Sequence, residues 1–173
     1  MNNPFWKTTA SRLLYAGIWV MIIVAQILLL EYYLGGSGTV YTRYIVYDSL
    51  IAGVLQAVCL LVLWYPVQYY RHMVRVSLFL VFHGLLFVLS SVIWLGAGYF
   101  ILQAGFDAPS LYPDFFLQLL PARLFFGLSV YILFVLAYYL FLANEILREQ
   151  KAGIAETGAM ARPAEKLSRI SVK

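Results

Sequence analysis

The side chains able to do chemistry are few in this 173-residue chain: two histidines, one cysteine and eight carboxylates. A metal centre needs three or four ligands in one place. His83 and Cys59 lie inside long apolar runs with no carboxylate at a comparable position, and His72 stands apart in a basic stretch, Arg71 to Arg75. A neutral histidine held between helices is the expected state of His83, ahead of a metal, haem or proton-relay role. Cys59 has no second thiol to pair with and no CxxC context, so neither a disulfide frame nor a redox motif is expected. The chain carries no nucleophile elbow, phosphate-binding loop, dinucleotide fingerprint or paired-carboxylate helix motif. No catalytic residue, metal site or cofactor is therefore expected, and the chain by itself does not read as an enzyme.

Two sets of polar residues stand out against the apolar background. Glu31, Arg43, Asp48 and Arg123 fall near the ends of apolar runs. Ionisable groups at the mouth of a helix assembly tend to pair, because each is costly to desolvate alone. They form either a shallow pocket that senses a ligand, of unknown identity, or interfacial charges that pair with each other or with headgroups. The second set, Gln26, Gln56, His83, Ser90 and Ser91, lies within the runs. Helical spacing puts Asp48, Ala52, Gln56 and Cys59 on one face, and His83, Phe87, Ser90 or Ser91, Trp94 and Gly98 on another. Polar and small residues gather where membrane helices meet, so both stripes are expected to face inward.

The elements that would position these residues follow from composition. The chain is 63% hydrophobic and only 12% charged, against roughly 25% charged in a soluble domain. It contains four runs long enough to cross a hydrocarbon core about 30 Å thick. These predict helices at about 12–34, 45–69, 73–104 and 121–150, an all-α integral membrane four-helix bundle. The first run is too long for a cleaved signal core, and Glu31-Tyr-Tyr-Leu is a poor cleavage site. Gly35-Gly-Ser-Gly should end the first helix, and Phe106 to Asp114, with Pro109, Pro113 and then Pro121, should form the longest outer loop. Phe5, Trp6, Tyr47, Trp64, Tyr65, Tyr69, Tyr70, Tyr99, Phe100 and Tyr112 lie near run ends, the pattern of an interfacial aromatic belt. Gly127, Tyr131, Phe134 and Tyr138 share a face of the fourth helix and suggest a homodimer seam.

Placing the N-terminus in the cytoplasm puts ten of the twelve basic residues on the inner side and leaves only Arg43 and Arg123 outside, with acidic residues divided evenly. The positive-inside bias then gives both termini as cytoplasmic, in a multi-pass membrane protein. It also accounts for most of the sequence pI of about 9.2, with no need for nucleic acid as a direct partner.

Past the fourth run, Phe141 to Lys151 predicts a short helical extension. Residues 151–164, with Gly153, Gly158 and Pro163, have the composition of a linker, and residues 165–173 read as the first strand of an output domain lying beyond this chain. The segments Leu63-Trp-Tyr-Pro-Val, His83-Gly-Leu-Leu-Phe, Trp94-Leu-Gly-Ala-Gly-Tyr, Leu120-Pro-Ala-Arg and Tyr138-Tyr-Leu, in that order over roughly residues 5–150, resemble the four-helix membrane region of LytS-like sensor histidine kinases and related membrane regulators, best known from Bacteroidota. Pro163 to Lys173 resembles the opening of a LytTR-type DNA-binding domain. The resemblance implies a membrane-bound transcription regulator that touches DNA only through its missing C-terminal domain, and it carries no catalytic or DNA-contacting residue into this chain. The interrupted tail favours that branch over a kinase input domain, whose last helix continues as a signalling coil. A small membrane redox protein or transporter is the remaining alternative.

Overall fold

The computed structural model describes residues 3–34, 38–69, 76–105 and 112–170, with side chains from Thr42 in the second stretch and to Lys151 in the last. Among the described residues a 3₁₀ turn, Pro4–Trp6, precedes five α-helices: α1 (Thr9–Tyr33), α2 (Gly38–Val62), α3 (Trp64–Tyr69), α4 (Val76–Gly105) and α5 (Tyr112–Ile170). Among the described residues there is no strand. Four of the described stretches are long and apolar enough to cross a membrane: Thr9–Tyr33, Thr42–Tyr69, Val76–Gly105 and Tyr112–Lys151.

Local chemistry sets the helix ends. α1 starts at Thr9, earlier than the apolar run implies, because Thr8 and Ser11 form a reciprocal cap. Thr8 Oγ1 accepts the Ser11 N–H at 3.1 Å, and Ser11 Oγ accepts the Thr8 N–H at 3.0 Å. The second span is broken at Leu63 into α2 and α3. Pro66 has no N–H to offer the Val62 carbonyl four residues back, which explains a break at this place. Side chains bond neighbouring carbonyls of the same stretch: the Tyr15 hydroxyl donates to Ala57 O at 2.6 Å, Tyr138 to Leu60 O at 2.7 Å, and Asn3 Nδ2 to Leu61 O at 3.0 Å.

The fourth span corrects two expectations. α5 begins at Tyr112 rather than near residue 121. Pro113 falls in the first turn, where its missing N–H costs nothing, and Asp114 beside it suits the positive helix start. Pro121 is then accommodated inside the helix, as prolines are in membrane spans whose neighbours compensate. At its other end α5 continues to Ile170, where a linker at 151–164 and a strand from residue 165 were expected. A helix satisfies its own backbone, whereas a strand needs a partner that the described residues lack. Alanine, glutamate, lysine and arginine dominate the stretch and favour helix. Residues 171–173, the start of the expected third helix at 73–75 and the loop residues 106–111 lie outside the described residues.

Two buried clusters occupy opposite ends. At the N-terminal end, Phe5, Tyr15, Trp19, Trp64, Phe134 and Tyr138 form the aromatic heart of the larger one. At the far end, Leu30, Ile45, Leu102, Tyr112, Phe115 and Leu119 form the smaller. Between them helices approach closely. A Cβ on Gly53 would lie 2.5 Å from Ile23 Cγ1, and one on Gly127 would lie 3.0 Å from Trp94 Cζ2. Small residues thus set the spacing of α1 with α2 and of α4 with α5.

Two further expectations change here. The proposed dimer seam is consumed within the chain: Gly127, Tyr131, Phe134 and Tyr138 are all buried against the other helices. The aromatic belt divides. Trp6, Tyr47, Tyr65, Tyr69 and Phe100 are exposed, whereas Phe5, Trp64 and Tyr112 are core residues.

Candidate polar site at the far end

Asp48 lies on α2, and the residues that meet it lie on α5. Tyr112, Phe116 and Arg123 fall at intervals of one and two turns, so one face of α5 carries all three. The Tyr112 hydroxyl donates to Asp48 Oδ1 at 3.0 Å, and Arg123 Nη2 donates to Oδ2 in an ion pair. The Arg123 guanidinium lies 4.8 Å from the centre of the Phe116 ring, within cation–π range. Tyr112 in turn contacts Tyr99, with ring centres 5.6 Å apart.

The pair is closed off from its surroundings. Asp48 is 2% exposed, Arg123 1% and Tyr112 1%. Leu30, Ile45, Leu102 and Leu119 complete a dry neighbourhood. In such a medium two opposite charges attract strongly, and each is expensive to leave alone. The carboxylate has a separate donor for each oxygen, whereas Arg123 Nε has no partner among the described residues. The arrangement is an electrostatic lock between α2 and α5.

Of the four charges singled out in the sequence, Asp48 and Arg123 come together. Glu31 is half-buried and Arg43 exposed, and neither joins the pair. Tyr112 is the member that sequence reasoning placed elsewhere, in the interfacial belt. Its spacing to Phe116 and Arg123 was the available signal, hidden by reading Pro113 and Pro121 as loop.

The inward-facing stripes hold the remaining polar groups. Gln26, Gln56, His83 and Ser91 are buried, and Ser90 is half-buried. Gln56 Nε2 donates to Gly127 O at 3.4 Å, a long bond across the α2–α5 seam. Gln26 Oε1, Ser49 Oγ and Ser91 Oγ have no partner among the described residues. Gln26 and Ser49 each lie one turn beyond the Ile23–Gly53 contact toward the far end.

His83 sits between two tyrosines of α5. Its Nδ1 is 3.0 Å from the Tyr131 hydroxyl, and its Nε2 is 3.2 Å from that of Tyr139. The Tyr131 hydroxyl also lies within hydrogen-bond distance of the His83 carbonyl, at 3.2 Å. Both ring nitrogens are thus engaged by tyrosine hydroxyls. Among the described residues, no three histidine, cysteine or acidic side chains gather as metal ligands.

No protein-family model, no curated protein and no solved structure matches this chain.

Proposed function

We propose that the chain is the membrane domain of a signal-transduction protein. In this reading it is a four-helix bundle in the bacterial cytoplasmic membrane, with both termini inside, that anchors and controls a cytoplasmic output domain. One observation carries the proposal. α5 contributes two of the three residues of the buried polar site and continues unbroken for 59 residues to Ile170. At the usual rise such a helix is about 90 Å long, which exceeds any bilayer. A change in the Asp48–Arg123 lock at the outer mouth would shift or rotate the same rigid element that leaves the membrane on the inner side.

The resemblance to LytS-like kinases and LytTR regulators supplies the two candidate outputs. The continuous tail helix removes the interruption that favoured the DNA-binding branch and suits a signalling coil equally well. Promoter binding by the complete gene product supports the first output, and ATP-dependent autophosphorylation supports the second. Homodimerisation remains part of the proposal, on a different face from the seam first assigned. α4 is the least buried of the four spans, and in this reading it offers its outer face to a second copy.

The deciding experiment replaces the lock without leaving a charge stranded. The double variant Asp48→Leu/Arg123→Met substitutes a buried ion pair by apolar groups, a change that stability often tolerates. In the complete gene product we expect the double variant to reach the membrane at normal abundance and to lose control of its output, read as promoter activity or phosphorylation. Unchanged output in a normally abundant variant overturns the proposal.

A further inference from the structure

The N-terminal end carries a cavity that the signalling proposal does not use. It lies between the 3₁₀ turn, the start of α1 and the end of α2, has a volume of about 490 Å³, and counts Trp6, Lys7, Arg12, Leu61, Val62 and Tyr65 in its walls. Among the described residues, two cations and no carboxylate line it. Arg12 is held over the Trp6 ring, with Cζ 5.3 Å from the ring centre, and its Nε reaches Trp6 O at 3.4 Å. Its other donors, and the Lys7 ammonium, meet no acceptor among the described residues. A smaller cavity of about 280 Å³ on the other side of the turn shares Lys7 and adds Arg148, but there Glu145 offsets the charge.

The surroundings of the larger cavity suit a lipid. Trp6 and Tyr65 are both more than half exposed beside the cations, the combination that sits at headgroup level. From the cavity an apolar stripe runs down α2 through Val62, Val58 and Val54, spaced by four residues and each more than half exposed. Such a stripe lies along one side of a helix and continues the cavity as an acyl chain continues a headgroup.

We propose that this cavity is a binding site for an anionic phospholipid. Lys7 and Arg12 take the phosphate, Trp6 and Tyr65 flank it, and an acyl chain follows Val62, Val58 and Val54. Basic pockets between membrane helices recognise acidic headgroups through this chemistry. The inference rests on the membrane reading but not on signalling or sidedness, because lipid preference is measured on purified protein without either.

The test is native mass spectrometry or a binding titration on the purified chain, with phosphatidylglycerol against phosphatidylethanolamine. Wild type should prefer phosphatidylglycerol. Each cation lost should weaken that preference about five-fold, and Lys7→Gln/Arg12→Gln together about thirty-fold. Lys7→Arg should keep it, and so should Lys151→Gln, an exposed cation on α5 away from the cavity. Both target residues are exposed, so the unfolding temperature should not move. The proposal is overturned by an absence of preference, by a preference that survives the double variant, or by an equal loss in Lys151→Gln. It is also overturned if free glycerol phosphate binds as tightly as the lipid, since the cavity would then be a site for soluble anions.

Discussion

The two ends of the molecule reach burial by opposite means. At the N-terminal end, Phe134 stands at the centre of an aromatic cluster, with ring centres 5.6–5.9 Å from Trp19, Tyr15 and Phe5. The polar tips of this cluster turn to backbone: Tyr15 and Tyr138 donate to carbonyls of α2. Their stabilisation is spread over many weak contacts, so no single one is decisive. At the far end a small apolar cluster surrounds a full ion pair and its tyrosine. There the cost of burial is concentrated in Asp48 and Arg123, and the loss of either exposes all of it. A distributed core resists change, whereas a concentrated one can be switched.

Mutations at each end test this contrast. The largest effect is expected at the far end. Arg123→Ala strands a buried carboxylate, and breaking such a pair typically costs about 3–5 kcal/mol. Thermal unfolding in detergent or nanodiscs should show a marked drop, and Asp48→Leu/Arg123→Met should recover most of it. Equal destabilisation in the double variant means that the charges add net stability and removes the distinction between the ends. Next comes the N-terminal end, where Phe134→Ala opens a cavity among four aromatic neighbours and should cost about 3 kcal/mol. A second-site change at the far end should leave that cost unaltered, since the two clusters are separate and distant sites add; strong coupling would merge the two cores into one. The smallest effect belongs to Tyr138→Phe, which removes the hydroxyl that donates to Leu60 O and should cost about 0.6 kcal/mol, close to the resolution of the measurement. A loss several times larger would show that the N-terminal end also hangs on a single polar contact.

The sequence shows the spans far more readily than their ends. Four apolar runs are visible because membrane crossing is a matter of length and composition, and the four apolar stretches of the structure overlap the expected ones. Gln26, Gln56, His83 and Ser91 are buried, and helical spacing alone groups polar residues on one face of a helix. The start of α5 was not legible. Pro113 and Pro121 are strong local signals against helix, yet one falls in the first turn and the other is absorbed within the span. The tail misled in the same way, with glycines and a proline inside a stretch otherwise rich in helix formers.

Composition and periodicity alone decide that this chain is all-helical, that four of its segments suit lipid, and which face of each carries polar groups. These are properties of each segment by itself, set by hydrophobic transfer and by the 3.6-residue turn. Only the tertiary structure decides which charges meet. Asp48 and Arg123 stand 75 positions apart, and the sequence offered Glu31 and Arg43 as equal candidates. The choice depends on how closely α2 approaches α5, which is set by the packing of both helices together. For the same reason Tyr112, Phe134 and Tyr138 turned inward rather than toward headgroups or a second copy, because an aromatic ring is stable in either place and its neighbours alone determine which it occupies.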